Sequence, residues 1–493
     1  MMQTSLPAIR TLARSGATDL AWAAFHEAGW HERTDQPGAL CLMGRLLKDK
    51  GAQAASGERQ ACLDRAIAAY LAAFDLSPAT YPLINAATLA CLSGDDERAR
   101  SLAQQTLALL DSGAHEPETA YWLAATRAEA ELLLGNLQRA ENLLRRAVQI
   151  APEAWEDHAS TLVQFSRIAV HRGLSTGWLE RIRPPASLSY RGMMGLSARD
   201  DTATAKIEGV LERERPGFLY GALAAGADIL IAEAGLRRGA RLHVLLPSPV
   251  ADFRAASVAP FGAGWAARFD TLCATADTIE TIEVHGHPSV AGVMLAQAMA
   301  RGLAVANARE LQSTAFALHV SNAPAETDTD TRSWTESDLR TIPISCPQTA
   351  RSGFSPLADD QTLFALVACP DQSTASEPDS EDGSWHTRSG GCRIAAYPGL
   401  RAAIGAARKL AGRHDNALAI GLDCVLVPRG AHPDLNAISG ASAIARAARP
   451  GQWLASRAMA LSAIGQSTGT LIQPIGELRR AAGRVELYAV TPP

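Results

Sequence analysis

The feature that most limits the fold is an internal repeat in the first part of the chain. Apolar residues recur at three- and four-residue spacing in ETAYWLAATRAEAELLLG and again in NLQRAENLLRRAVQIAP, which predicts two amphipathic helices. A fainter copy, ATYPLINAATLACLSG followed by DDERARSLAQQTLALL, lies upstream. Gly94 corresponds to Gly135 and Ala99 to Ala140, each pair 41 residues apart. Such a chain stacks similar helical pairs against one another.

The repeated unit, a helix–turn–helix of about 34 residues, resembles a tetratricopeptide repeat. The segment AFDLSPATYPLINAATLACLSGDDERAR also resembles the helical-repeat region that bacterial multidomain proteins share with the TRAF-binding region of animal stress kinases. These resemblances imply a tetratricopeptide-like domain over residues 1–182 with a concave surface for a protein partner. The alternative is a nonspecific Ala-rich helical bundle.

Charge and hydropathy narrow the class of protein. The formal net charge of the 493 residues is −5, which argues against a protein that coats nucleic acid or binds membranes through a basic surface. No run of about 18 apolar residues predicts a membrane span, and the N-terminus lacks the sustained apolar run of a secretory signal. We therefore expect a cytoplasmic protein that binds neither nucleic acid nor membrane.

The cysteines and histidines do not form a metal-binding pattern. The eight cysteines include no C-x-x-C pair, which fits scattered thiols in a reducing cytoplasm better than a disulfide framework. His285 and His287 stand in an HGH segment without an acidic or cysteine cluster, so a polar loop is the favoured interpretation over a metal site. No cofactor is predicted.

After residue 183 the pattern changes to alternating strands and helices. GFLYGALAAGADILIAEAGLRRGARLHVLLPSP predicts a strand, a glycine-containing turn, a helix and a second strand. Continued alternation predicts a Rossmann-like parallel α/β domain over residues 183–323. Clustered Thr, Ser, Asp and Pro then predict a linker over residues 324–360.

A ligand site is predicted where the first of these strands ends. Gly221, Gly226 and Asp228 lie at a strand's carboxyl end and a helix start, where backbone N–H groups favour phosphate. The pattern YGALAAGADILIAEA…GARLHVLLP resembles the SLOG superfamily of Rossmann-like domains, found in DNA-processing proteins and lonely-guy phosphoribohydrolases. That resemblance implies recognition of a nucleotide or a nucleotide derivative. It places Gly221 and Gly226 on the phosphate turn and has Asp228 and Glu233 face the pocket.

Two other interpretations of this segment stay open. The lonely-guy hydrolase motif needs a Thr after its glycine-rich turn, which is missing here, and Glu233 lies late. A nucleotide N-glycosidase with Glu233 as its acid/base residue is therefore an alternative rather than the first hypothesis. The structural alternative is that Asp228 only caps the helix and the glycines only form the turn.

The third block, residues 361–493, contains five short segments in the order LFALV, SGGCRIAAYP, ALAIGLDCVLVP, ARPGQWLAS and VELYAV. In this order and spacing they resemble the class III nucleotidyl cyclase homology domain. It implies a ferredoxin-like, cyclase-type α/β domain. The predicted fold class is thus multidomain α and α/β, with helical repeats, a central Rossmann-like sheet and this C-terminal domain.

The positions that carry the chemistry of that family are replaced. Two carboxylates should hold two divalent ions on the triphosphate, yet the resemblance aligns Ala365 and Gly391 with them. Ser439 and Ala443 stand where an Asn and an Arg should orient the ribose and stabilise the transition state. We therefore predict a degenerate cyclase domain without catalytic residues. Asp423 and Asp434 are interpreted as surface or turn residues.

Together these patterns predict a noncatalytic signalling or scaffold protein. Its helical repeats would bind a protein, its central domain would sense a nucleotide-derived small molecule, and its C-terminal domain would form a homodimer or dock without turnover. The rival from the enzyme class is an active adenylate or guanylate cyclase with atypical catalytic residues, which would need Mg²⁺ or Mn²⁺.

Overall fold

The computed structural model describes most of the chain, in two compact units, Met1–Pro184 and Pro185–Pro493. The described residues are 5–14, 16–197, 200–282, 286–322, 337–347, 357–371, 385–415, 417–480 and 483–492. His285 of the HGH segment and most of the predicted linker lie outside these ranges.

The first unit is helical. Short 3₁₀ turns at Trp30–Glu32 and Gly177–Ile182 accompany its α-helices. The helices are α1 (Leu6–Arg14), α2 (Thr18–Glu27), α3 (Pro37–Gln53), α4 (Ser56–Leu76), α5 (Thr80–Leu92), α6 (Asp96–Ser112), α7 (Ala120–Leu133), α8 (Leu137–Ile150) and α9 (Trp155–His171).

Two successive pairs, α5 with α6 and α7 with α8, repeat the same turn. Gly94 and Gly135 follow the first helix of each pair with φ of +86° and +91°, a conformation that glycine adopts without strain. The amide after each glycine donates to a carbonyl five residues earlier at 2.9 Å. Ala99 and Ala140, early in the second helices, are fully buried where the helices approach. These equivalent positions confirm the predicted helical repeats.

The second unit begins with a parallel sheet. Its strands lie in the order β4-β3-β2-β1-β5-β6, and every pair runs parallel. The elements are β1 (Ala186–Gly192), α10 (Asp201–Glu214), β2 (Pro216–Gly221), α11 (Ala227–Leu236), β3 (Arg241–Leu246), α12 (Val250–Ser257), α13 (Ala263–Thr275), β4 (Thr278–Thr281), α14 (Val290–Glu310), β5 (Ala315–Ser321) and β6 (Thr341–Ser345). Because β2 lies on one side of β1 and β5 on the other, the topological switch point is between β1 and β5.

Strand β6 lies within the segment predicted to be a linker. Ile342 and Ile344 are apolar residues at alternate positions, but the surrounding Thr, Ser and Pro content outweighed this short signal. Pro343 is compatible with a strand here because β6 is the edge of the sheet and pairs only with β5 among the described strands. The prediction of a linker was therefore wrong for this segment, which forms the sixth strand of the sheet.

A separate mixed sheet follows. Its order is β12-β13-β11-β10-β7-β9-β8; β10 and β11 run parallel and the other paired strands run antiparallel. The elements are β7 (Gln361–Pro370), β8 (Trp385–Ser389), β9 (Cys392–Pro398), α15 (Leu400–Gly412), β10 (Ile420–Pro428), α16 (Leu435–Ala447), β11 (Trp453–Ser456), α17 (Arg457–Gln466), β12 (Leu471–Arg480) and β13 (Gly483–Thr491).

Helix α14 is shared by the two sheets. It contacts β1, β2, β3 and β5 of the parallel sheet, and it also contacts β7 and packs along α17. The crossing with α17 is very close: a Cβ atom on Gly302 would overlap the carbonyl oxygen of Leu461, and one on Gly465 would lie 2.9 Å from the Gly302 nitrogen. Small residues thus let the two helices touch through their backbones.

The sequence of α14 alone has the length and hydropathy of a membrane span, which the search for apolar runs did not predict. Among the described helices it is the one that passes this test, and 61% of its apolar window is buried inside the protein. A helix covered by a sheet on one side and by α17 on the other is apolar nearly all round because both sides are buried.

Candidate functional site

A cavity of about 370 Å³ opens at the carboxyl ends of β1, β2, β3 and β5. Its wall is completed by the start of α11, by one face of α14, and by Leu357, just before β7. This is the switch point of the parallel sheet, the usual place for a ligand in open α/β folds. The volume lies within the range of roughly 300–1,000 Å³ that is typical of small-molecule sites.

Glycines bring the backbones around the cavity together. Gly226, directly before α11, has φ of +135°, and a Cβ there would lie 2.5 Å from the Met193 carbonyl oxygen. Gly221 lines the cavity, and a Cβ on it would lie 2.7 Å from the Tyr190 ring. Gly192 at the end of β1 is equally confined by Ala227, although no sequence motif singled it out. The predicted glycine turn is therefore required for close backbone approach.

Asp228 places a buried carboxylate in the first turn of α11. Its side chain lines the cavity and is 6% exposed. Oδ2 accepts a hydrogen bond from the Ala224 amide at 3.2 Å, so it fastens the preceding turn rather than capping the free amides of α11. Oδ1 is buried and accepts no hydrogen bond from any residue that the structure describes. A buried acceptor in this state favours a ligand that brings a donor.

The pKa of Asp228 is higher than that of an ordinary carboxyl group. Burial raises its pKa to about 7, while the amides of Ala224 and Gly192 and the charge of Arg191 act in the opposite direction. Near neutral pH the group therefore exists in both forms and can accept or donate a hydrogen bond. Displaced pKa values of this kind cluster at functional sites.

Basic side chains also border the cavity. Arg191, at the end of β1, and His319, on β5, are among its lining residues. Arg301, also on α14 and 7% exposed, does not line the cavity, and its Cβ lies where α14 meets Gly465 of α17. Burial, and then the charge of Arg191, lower the pKa of Arg301 to about 10. The cavity wall thus carries an arginine and a histidine as well as the carboxylate of Asp228.

Glu233 lies away from the cavity, although the resemblance placed it in the pocket. It does not line the cavity, and Arg268 of α13 donates to its two oxygens at 2.7 and 2.5 Å. This bidentate pair fastens α11 to α13. Both carboxylate oxygens are occupied, so the geometry does not support an acid/base role for Glu233.

The four positions that the cyclase resemblance aligned with catalytic residues do not converge. Ala365 is fully buried in the centre of β7. Its neighbours Phe364 and Leu366 pack in one cluster with residues of α16, so the alternation of the strand turns Ala365 to the opposite face. Ser439 and Ala443 lie on α16. The structure therefore separates Ala365 from the other two positions by the thickness of the sheet.

Gly391 forms the tight turn between β8 and β9. Gly390 and Gly391 have φ of +58° and +73°, as a two-residue hairpin of the I′ type requires. A Cβ at Gly391 would meet no atom within 4 Å, so a larger residue is excluded there by backbone conformation and not by space.

The two remaining acids of this region have different roles. Asp434 accepts from the Ala437 amide at 2.9 Å and caps α16, in agreement with its interpretation as a turn residue. Asp423, interpreted as a surface or turn residue, is instead 7% exposed on β10, and Arg480 donates to it at 2.9 Å. Burial is possible because this arginine, 57 residues later, supplies the opposite charge. In the described ranges no three His, Cys, Asp or Glu side chains are grouped for a metal ion.

One comparison with known proteins falls within the helical unit. A family model described as Tetratricopeptide Repeats-Sensor matches residues 8–90. The mitogen-activated protein kinase kinase kinase nsy-1 of Caenorhabditis elegans is 35% identical over 124 residues, which make up 24% of this chain and 8% of the kinase. The match thus spans less than a tenth of that relative's length.

A solved structure of a Thermobaculum terrenum O-GlcNAc transferase mutant is similar over 63% of this chain and 58% of its own. The sequence identity is 12% and the TM-score is 0.19. A similarity this low does not bear on the fold. The family model therefore carries the assignment of tetratricopeptide-type repeats.

Proposed function

We propose that this chain is a noncatalytic signalling or scaffold protein of the cytoplasm that joins protein binding to the sensing of a nucleotide-type small molecule. Its tetratricopeptide-type repeats indicate a protein-interaction role, because stacked helical pairs present an extended concave surface. The parallel sheet would act as a SLOG-like, Rossmann-like sensor domain.

One observation carries the sensing function: a cavity at the switch point of the sheet holds a buried carboxylate with an unused oxygen. Asp228 Oδ1 lacks a partner among the described residues, and Arg191 lines the same cavity. A buried, unused acceptor costs stability in the empty protein, which a ligand that hydrogen-bonds to it would recover. Nucleotides carry both hydroxyl or amino donors and an anionic phosphate.

The mixed sheet would serve as a degenerate cyclase-like domain that dimerises or docks without turnover. Its supporting observations are the replaced positions: Ala365 and Gly391 have no carboxylate, and Asp423 is already paired with Arg480. A two-metal mechanism needs carboxylates that converge on one side of the sheet.

Ligand binding by the full chain tests the sensing function. Thermal unfolding and calorimetry would be followed with nucleosides and with nucleoside mono-, di- and triphosphates. We expect at least one nucleotide to bind and to raise the melting temperature. Gly226→Val should abolish this, because its side chain would press on the Met193 carbonyl. Gly264→Ala, on α13 where a Cβ would meet nothing within 4 Å, is the matched control.

Three results would contradict the proposal. If no nucleotide binds and Gly226→Val changes nothing, the sensing function is wrong. Robust formation of cyclic nucleotide from ATP or GTP with Mn²⁺ would replace the degenerate domain with an active cyclase. Release of free base from nucleoside monophosphates, abolished by Glu233→Gln, would indicate a nucleotide N-glycosidase.

A further inference from the structure

We infer that the cavity binds its nucleotide in one orientation, with the phosphate beside Arg191 and a hydroxyl or amino group on Asp228. This inference rests on the proposed sensing function and adds the orientation in which the nucleotide binds. It also differs from the expectation drawn from the sequence, which placed the phosphate on the glycine turn at the start of α11.

The start of α11 is a poor place for a phosphate in this protein. A helix N-terminus attracts anions through its free amides and its dipole. Here Asp228, in the first turn, already brings a carboxylate to that end, and its Oδ2 already accepts from the Ala224 amide. A phosphate at the same end would stand against a second negative group in a buried environment, where like charges repel strongly.

Arg191 offers the opposite environment. It lies at the end of β1 and lines the cavity. An anion beside it would gain a charge-assisted hydrogen bond. The planar fork of a guanidinium also matches the geometry of phosphate oxygens.

Asp228 provides the second anchor. Its Oδ1 has no hydrogen-bond donor among the described residues and is nine-tenths buried on the cavity wall. A ribose hydroxyl or an exocyclic amine would supply that donor. A bond from a neutral group to a charged one is stronger than a bond between two neutral groups, so this contact would fix the direction of the ligand.

Apolar side chains cover the remaining wall. Leu245, Phe253 and Val293 are among them, from β3, α12 and α14. A mostly apolar lining with a few polar anchors is the usual arrangement for a small-molecule site. The flat face of a base could pack on these side chains while its phosphate and its hydroxyl or amino groups reach the two polar anchors.

Calorimetry with the full chain tests the orientation. The ligands are AMP, GMP, CMP and UMP with their four parent nucleosides, and the variants are Arg191→Gln and Asp228→Asn. Loss of one charged hydrogen bond typically weakens binding about 10- to 100-fold. Arg191→Gln should weaken the monophosphate by that factor and change the nucleoside Kd by less than about twofold. Asp228→Asn should weaken nucleoside and monophosphate alike.

Matched controls exclude a general effect of removing a charge. Arg237→Gln and Asp270→Asn change residues whose ion-pair partners, Glu208 and Arg254, lie on the surface outside the cavity. Both variants should bind as the unchanged protein does. Thermal unfolding of each variant without ligand shows whether it is folded.

Two patterns would overturn the orientation. If Asp228→Asn strengthens monophosphate binding, the phosphate lies at the start of α11 after all, because removing the carboxylate would favour it there. If Arg191→Gln weakens the nucleoside as much as the monophosphate, or changes neither, the arginine does not hold the phosphate.

Inorganic phosphate separates this inference from the proposed function. If none of the nucleotides binds, the sensing of nucleotides fails. The anionic pocket still stands if phosphate raises the melting temperature of the full chain and Arg191→Gln loses that rise while Arg237→Gln keeps it. An equal rise in all three proteins would show that Arg191 does not bind the anion.

Discussion

Thr88 and Glu129 stand 41 residues apart, at equivalent positions of two successive repeats, and the hydroxyl of Thr88 donates to the carboxylate of Glu129. The same carboxylate accepts from Gln164 of α9 at 3.1 Å. On α3, Lys48 donates to Asn85 of α5 at 3.2 Å. Side chains of α3, α5, α7 and α9 therefore form a polar ladder across the inner helices. Each of these hydrogen bonds joins one repeat to the next and so fixes how the neighbouring helices are aligned along their axes.

Glu129→Ala should destabilise the helical unit. The substitution leaves the buried Thr88 hydroxyl and the half-buried Gln164 amide without their acceptor, at a cost of about 1–3 kcal/mol. Amide hydrogen exchange of α5 and α7 in the full chain would show the loss as faster opening. Glu153→Ala, at an exposed residue between α8 and α9, should leave the rates unchanged. Unchanged protection in Glu129→Ala would show that the ladder adds nothing to stability.

The stability of the second unit should depend on pH through Asp228. Its pKa is 3.8 in ordinary surroundings and about 7 in the folded protein, so between these values the folded state binds more protons than the unfolded state. The free energy of unfolding therefore falls as pH rises from about 4 to about 7. A pKa change of this size corresponds to a cost of about 4 kcal/mol above pH 7.

Asp228→Asn isolates this effect, because an amide does not ionise. The variant and the unchanged protein should melt at similar temperatures near pH 4, and the variant should gain up to several degrees by about pH 8. A difference in melting temperature that stays constant with pH would mean that Asp228 does not titrate in this range. A variant that is more stable and yet binds ligand less well would mark a residue kept for function.

Gly302→Ala should weaken the attachment of the two sheets. Its new methyl group would overlap the Leu461 carbonyl, so α14 and α17 must move apart, at a cost of about 1–3 kcal/mol or more. The matched change is Gly209→Ala on α10, where a Cβ meets nothing within 4 Å. That change should raise stability by about 0.5–1 kcal/mol, since alanine is the better helix former. Thermal unfolding measures both, and a Gly302→Ala variant as stable as the unchanged protein, or more stable, would refute the close crossing.

Arg480→Met should destabilise the mixed sheet. It leaves the Asp423 carboxylate buried without its cation, which typically costs about 3–5 kcal/mol. The double variant Asp423→Leu with Arg480→Met should recover much of this loss, because both charges are then gone. Arg479→Met, at an exposed neighbour on the same strand, is the control. Chemical unfolding of the unchanged protein, Asp423→Leu, Arg480→Met and the double variant completes a double-mutant cycle.

What the sequence predicted well is local in origin. The helical repeats follow from apolar spacing and from the glycines at 94 and 135, and the parallel sheet follows from strands that alternate with helices. The turn at Gly226 was predicted for the same reason, because a helix start after a strand needs only neighbouring residues.

What could not be predicted depends on partners that are distant in the chain. Asp423 is buried because Arg480 meets it across the sheet, and Glu233 is drawn away from the cavity by Arg268. Arg301 was not considered, since nothing in its surroundings along the chain indicates that α14 lies beside β1. Hydrophobic periodicity places a residue on a helix face but does not say which other element covers that face.

The shared helix has a consequence for how such a chain can change over evolutionary time. A recombination event could exchange the C-terminal sheet for another domain. The new domain would then need a helix that packs as closely on Gly302 as α17 does, through its backbone. We therefore expect the two sheets to be inherited together, and a change selected at the cavity, which borders another face of α14, to be inherited with the surface that receives the second sheet.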